Sequence, residues 1–202
     1  MCSILKVLKN FKDSLKEPHS FLFKVTKLLG GTSLAQLIPI LLSPVITRIY
    51  TPEEFGIFAI YLSIGMILGE FSTGKFEMAI IIPRKLRDYY TLTIISIILS
   101  FSIITLTSII FYFFKDNKAI NNIIKDFDVL YVYIPLIGLT LALHRIFYLI
   151  RNKLGNYSKM SGNIIIISFF TISIQIGLGL LNFEVKGLIL GKIIGQFSGL
   201  LF

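Results

Sequence analysis

The chain has 202 residues, 54% of them hydrophobic and 15% charged, and a mean hydropathy of +0.81, a balance outside the range of ordinary soluble domains. It reads as an all-α integral membrane protein. The net charge of +9 does not point to nucleic acid, because a soluble binder needs its Lys and Arg on a packed, water-facing domain and none is readable; anionic lipid headgroups are the expected neighbours.

Residues 1–27 hold six lysines among short apolar runs, Lys6, Lys9, Lys12, Lys16, Lys24 and Lys27. With no uninterrupted apolar stretch ending in a small-residue cleavage site, they read as a retained basic amphipathic leader on the cytoplasmic face. Cys2 is the single cysteine, so no internal disulfide is possible and redox chemistry is not indicated.

A bilayer core about 30 Å thick needs roughly 20 mostly apolar residues per helix. Six windows meet that length, at about 28–46, 55–73, 90–114, 129–150, 162–181 and 187–202. The second is interrupted by Glu70, and the sixth is short and stops within an apolar run: either it barely spans or, as is expected here, this is the N-terminal part of a longer protein. Cytoplasmic loops carry the excess of Lys and Arg. The leader, the loop with Lys75, Arg84, Lys85 and Arg87, and the edge of the fourth helix with its following loop (Arg145, Arg151, Lys153, Lys159) hold fourteen; the alternate loops hold five (Arg48, Lys115, Lys118, Lys125, Lys186), and Lys192 lies inside the sixth helix. The N-terminus is therefore expected in the cytoplasm.

The first helix carries Thr32, Gln36, Ser43 and Thr47 at spacings of four, seven and four, one face of an α-helix. An amide such as that of Gln36 has to find partners away from lipid, where an unsatisfied polar group costs several kcal/mol, so this face is expected to look at other helices or at water. Ser168, Thr171 and Gln175 repeat the pattern in the fifth helix, and Lys192 with Gln196 in the sixth. The hydroxyls also suit plain helix packing, as do Gly30, Gly31, Gly65, Gly69, Gly177 and Gly179. Pro39 and Pro44 free two carbonyls in the first helix.

Ionisable groups at membrane depth are functional candidates by default. Glu70 leads them, with Glu77 seven residues on, sharing its face if the helix runs past Gly74, and with Lys75 able to neutralise either. Arg145 can serve a site or snorkel to the headgroups, and Lys192 can face a cavity or snorkel. Arg48 can meet a ligand or pair with Glu53 or Glu54. Phosphate-binding glycine motifs are missing from the sequence. The two histidines, His19 and His144, lie far apart with no Cys or carboxylate cluster, so neither a metal site nor a cofactor is expected. An enzyme is disfavoured because the loops are too short for a catalytic domain.

Several stretches resemble, in order, bacterial polysaccharide biosynthesis proteins, the repeat-unit flippases of the multidrug/oligosaccharidyl-lipid/polysaccharide exporter superfamily. They are "GGTSLAQ", "SPVITRIYTPEEFG", "FEMAIIIP", "HRIFYLIRNKLGNYSKMSG" and "KGLILGKIIGQ". The resemblance implies one six-helix lobe of a MATE-like transporter in the bacterial inner membrane, where two lobes enclose a central cavity. It implies a substrate too: an oligosaccharide on undecaprenyl pyrophosphate, moved to the outer leaflet for O-antigen, lipopolysaccharide, capsule or exopolysaccharide synthesis, with a polysaccharide polymerase and a chain-length regulator as partners. Within that frame Arg48, Arg145 and Lys192 are candidate contacts for the diphosphate, Gln36 and Gln175 for sugar hydroxyls, and Glu70 for ion coupling. A cation-coupled multidrug-type exporter and an inactive structural membrane fragment are the competing classes.

Overall fold

A computed structural model describes residues 21–83, 85–115 and 131–201. Within them the chain forms seven helices and no strand: α1 Phe21–Ile49, α2 Pro52–Ser72, the single turn α3 Phe76–Ala79, α4 Leu86–Phe114, α5 Tyr133–Lys153, α6 Tyr157–Leu180 and α7 Glu184–Leu201. Five are long and apolar enough to cross a membrane: Leu28–Ile49, Pro52–Ser72, Arg87–Phe114, Tyr133–Lys153 and Tyr157–Leu180. The sixth expected span is a correction. α7 starts at Glu184, three residues before its expected start, and its 18 residues include Glu184, Lys186 and Lys192, so it is helical but is not among those five.

Most helices begin earlier than expected and α1 and α5 end later, because amphipathic ends continue them, whereas α5 starts at Tyr133 and α2 and α6 each stop one residue short of the expected end. α1 runs unbroken from within the expected leader, so residues 21–27 are helix; the leader up to residue 20 lies outside the described residues, as do Arg84, Lys118 and Lys125. α5 reaches Lys153 and α6 starts at Tyr157, which places Arg151, Lys153 and Lys159 on helices rather than in a loop. Between α1 and α2, Thr51 caps the next helix. Its hydroxyl accepts from the Glu54 N–H at 3.3 Å and the Glu54 carboxylate accepts from the Thr51 N–H at 2.6 Å, a reciprocal cap followed by Pro52 at the first helical position.

Pro44 lies within α1 without breaking it. It lacks the N–H that would bond the carbonyl of Ile40. The Ser43 hydroxyl donates to that oxygen at 3.0 Å, so one of the two proline-freed carbonyls is satisfied from within the helix.

α7 is the centre of the bundle. One side of it, Val185, Ile189 and Ile193, packs with Ile57 and Tyr61 of α2 and Ile134 and Ile137 of α5. Leu188 packs the other way, with Ile46 and Tyr50 at the end of α1 and Ile172 of α6. Such proximity to α6 depends on glycine at every fourth position, Gly187, Gly191, Gly195 and Gly199: a Cβ at these positions would run into Tyr50, Gln175, Thr171 and Ile167 respectively. Gly65 and Gly69 of α2 play the same part against Ile137 and Gly138 of α5, and Gly31 and Gly179 against Ser161 and Tyr50. Gly30 and Gly177 correct the expectation, because nothing lies within 4 Å of where their Cβ atoms would stand.

Candidate functional site

α1 presents three faces. Gly31, Ala35, Ile46 and Tyr50 are buried, and α6 is the helix that α1 packs on. Leu34, Leu37, Ile40 and Leu41 are exposed apolar positions. About a third of a turn from the buried face lies the polar stripe, with Gln36, Ser43 and Thr47 exposed and Thr32 half-buried. The three hydroxyls bond within the helix, Thr32 to Leu28 O at 2.7 Å, Ser43 to Ile40 O and Thr47 to Ser43 O at 2.9 Å. The Gln36 amide stands exposed on that face. Arg48 ends it, exposed in the last turn, where a cation suits the helix dipole. One of the two alternative partners foreseen for Arg48, Glu54, holds the Thr51 cap instead.

Gln175 is placed differently. It is 6% exposed, and its Nε2 donates to Leu188 O at 3.0 Å across the α6–α7 contact, so this amide joins two helices. The carbonyl of Gln175 in turn accepts from the Tyr50 phenol at 2.7 Å. Burial, and secondarily the charge of Glu54, pushes the Tyr50 phenol up to about 12, and it stays a protonated donor. In the same helix contact Asn163 Oδ1 and Thr171 Oγ1 are buried without a hydrogen-bond partner among the described residues, as is Gln196 Oε1 on α7. Ser168 is half-buried.

The end of the bundle where α2 finishes and α5 runs out holds an ionic group. The helix does not run past Gly74 as the Glu70–Glu77 spacing required: α2 stops at Ser72, and Gly74 and Lys75 turn the chain at φ of 57° and 63°. A Cβ on Gly74 would sit 2.8 Å from Leu99, whereas Lys75 takes the left-handed conformation at a cost of about 1 kcal/mol or more. That turn brings the two carboxylates together by another route. Lys75 Nζ donates to Glu70 Oε1, Arg145 Nη1 pairs with Glu70 Oε2, and Arg145 Nε lies 3.9 Å from Glu77 Oε1. Arg145 is therefore an ion-pair partner and does not simply reach for headgroups. The Glu70 pairs are more than a third exposed and contribute about 0–1 kcal/mol each. Glu77 is 0% exposed, and neither of its oxygens receives a hydrogen bond among the described residues.

Lys153, which sequence reading passed over as a loop cation, donates to Ile80 O at 2.7 Å and Pro83 O at 2.8 Å and lies 4.6 Å over the Tyr89 ring. It fastens α5 to the α3–α4 connection. The sequence held no signal for this: a lysine in the short stretch before α6, which starts at Tyr157, cannot be distinguished from a topology charge until α5 is known to extend to it. Lys192 is half-buried on α7. An open groove of about 560 Å³ between α6 and α7, lined by Ile166, Phe170, Ile194, Phe197, Ser198 and Leu201, is too apolar for a hydrated ligand. Among the described residues no three His, Cys, Asp or Glu side chains are grouped to hold a metal ion.

In comparisons with protein-family models, curated proteins and solved structures, the chain matches none.

Proposed function

We propose that the protein is one lobe of a transporter that moves undecaprenyl-pyrophosphate-linked oligosaccharide repeat units across a bacterial inner membrane, outward, for surface polysaccharide synthesis, with its N-terminus in the cytoplasm. The observation that carries the reading is the polar face of α1. Gln36, Ser43 and Thr47 lie beside the face that packs on α6 and stay exposed, in a chain whose hydropathy otherwise suits lipid. An exposed amide at membrane depth is unfavourable against hydrocarbon, and it suits the wall of a hydrated route closed on its far side by a second lobe. Sugars and a diphosphate need such a wall, while a prenyl tail stays in lipid. In this orientation the Glu70–Arg145–Glu77 group lies at the cytoplasmic end and Arg48 at the outer end. The carboxylate Glu70 fits ion coupling, and Gln175, held between α6 and α7, fits a structural role better than sugar contact.

The resemblance named above supports the substrate class, and Arg48 offers the test. A guanidinium gives a diphosphate a bidentate, charge-assisted contact. In cells that depend on this protein for surface polysaccharide, Arg48→Gln is expected to lower assembly about tenfold or more at unchanged protein level, since one charged hydrogen bond contributes about 1.5–3 kcal/mol; Glu53→Gln is expected to lower it far less. Normal assembly with both changes would remove Arg48 from the route.

A further inference from the structure

One guanidinium, where α2 finishes, serves two carboxylates unequally. Arg145 Nη1 pairs with Glu70 Oε2, while Lys75 Nζ holds the other oxygen of Glu70. Glu70 is thus served twice, and with its side chain 38% exposed it is open to water as well. Glu77 is the reverse. It is 0% exposed, Arg145 Nε stands 3.9 Å from its Oε1, and neither of its oxygens receives a hydrogen bond among the described residues. Thr73 Oγ1, in the turn between α2 and α3, is likewise buried with no partner among the described residues.

The two carboxylates have different stakes in Arg145. An exposed ion pair contributes little, so Glu70 loses little by giving up the second of two cations. A buried carboxylate without a hydrogen bond is far more costly, and its first charge-assisted bond gains correspondingly more. Such a bond spans about 2.7–2.9 Å, so Arg145 Nε and Glu77 have to close by about 1 Å. α2 and α5 are held too tightly to take up that movement, with Gly65 and Gly69 packed on Ile137 and Gly138 where no Cβ would fit. α3 can take it up. It is a single turn, joined to α2 through Gly74 and Lys75 at positive φ, and its far end is tied to α5 by the long, flexible side chain of Lys153 through Ile80 O and Pro83 O.

We infer that Arg145 exchanges between Glu70 and Glu77, and that α3 is a strap that closes on α5 when it does. In the arrangement seen, Arg145 is bonded to the end of α2 and α3 is held by Lys153. In the other, the guanidinium bonds Glu77, α3 moves in against α5 by about 1 Å, and Glu70 keeps Lys75 alone, with its Oε2 open. One cation shared by carboxylates on two elements makes the position of α3 and the open oxygen of Glu70 two readouts of a single two-state switch. The exchange belongs to this bundle alone and is independent of what the protein transports.

The test is amide hydrogen exchange in α3, followed by mass spectrometry on the full chain in nanodiscs. Glu70→Gln frees Arg145 for Glu77 and is expected to slow exchange of the amides of residues 76–82 about tenfold, the effect of one charge-assisted hydrogen bond. Loss of an ion pair from a fixed cluster would instead leave α3 unchanged or faster. Lys75→Gln leaves Arg145 as the remaining partner of Glu70 and is expected to keep exchange in α3 as fast as in the wild type or faster, and Glu70→Gln combined with Glu77→Gln is expected to show no slowing. Retained helicity confirms that each variant is folded. Unchanged or faster exchange in folded Glu70→Gln overturns the switch, and so does slowing in Lys75→Gln or slowing that persists when Glu77 is also replaced.

Discussion

Tyr50 shows how one side chain outside the membrane spans can fix three helices. It is 3% exposed, sits against the positions of Gly179 and Gly187, and donates to the Gln175 carbonyl at 2.7 Å. Tyr50→Phe removes the hydroxyl and leaves that carbonyl without its donor, so it is expected to destabilise the detergent-solubilised protein by about 1 kcal/mol, lowering the thermal midpoint by about 2–4 °C. The pH dependence has a definite sign. Because the phenol is pushed up to about 12 from about 10 in the unfolded chain, its contribution is complete below pH about 10 and is lost as pH rises through about 12. The difference in midpoint between wild type and Tyr50→Phe should therefore be constant from neutral pH to about 10 and vanish near 12. A difference that stays constant through that range would mean that the phenol is not held as the structure has it. Glu77 poses the opposite case, a buried carboxylate with a cation at 3.9 Å and no hydrogen bond among the described residues; its burial was not legible in "FEMAIIIP", because the turn at Gly74 and Lys75, not helical spacing, brings it to Arg145.

At the scale of the element, α1 was the most legible part of the chain. The four-seven-four spacing of Thr32, Gln36, Ser43 and Thr47 gave one face, and that face lies beside the one packed on α6, with Gln36, Ser43 and Thr47 exposed. What the spacing could not tell was which neighbour each hydroxyl takes, and all three bond their own helix. α7 was the least legible. Its charged residues and short apolar run looked like a marginal span, and the four-residue glycine period that brings it against α6 passed unnoticed beside the longer apolar windows. Helix ends were also misjudged, because basic residues at α5 and α6 mark topology and helix termini equally well. The α1 account makes a direct forecast. Single cysteines at Gln36, Ser43 and Thr47 should react with a membrane-impermeant thiol reagent in intact membranes at least about tenfold faster than cysteines at Leu34 and Leu41, since water is the reagent's only route and thiolate forms poorly in lipid. Equal protection of all five would make the stripe a dry contact surface.

For the molecule as a whole, α7 joins two packing groups, α1 with α6 on one side and α2 with α5 on the other. Small-residue seams at Gly65 and Gly69 and along α7 hold each group closely, while ionic contacts gather where α2 ends and α5 runs out. In the proposed orientation, Arg145 with Glu70 and Glu77 lies at the inner end of the bundle and Arg48 at the outer end. The account stands or falls on whether lipid-linked repeat units change leaflet because of this protein. The direct measurement is the fraction of undecaprenyl-pyrophosphate-linked oligosaccharide open to a periplasmic glycosidase or ligase in spheroplasts, before and after the protein is depleted. The account predicts that the accessible fraction falls severalfold while total lipid-linked oligosaccharide rises, and that it recovers on re-expression of the wild type but not of Arg48→Gln. An accessible fraction unchanged by depletion, in cells with no other transporter for that oligosaccharide, would contradict it.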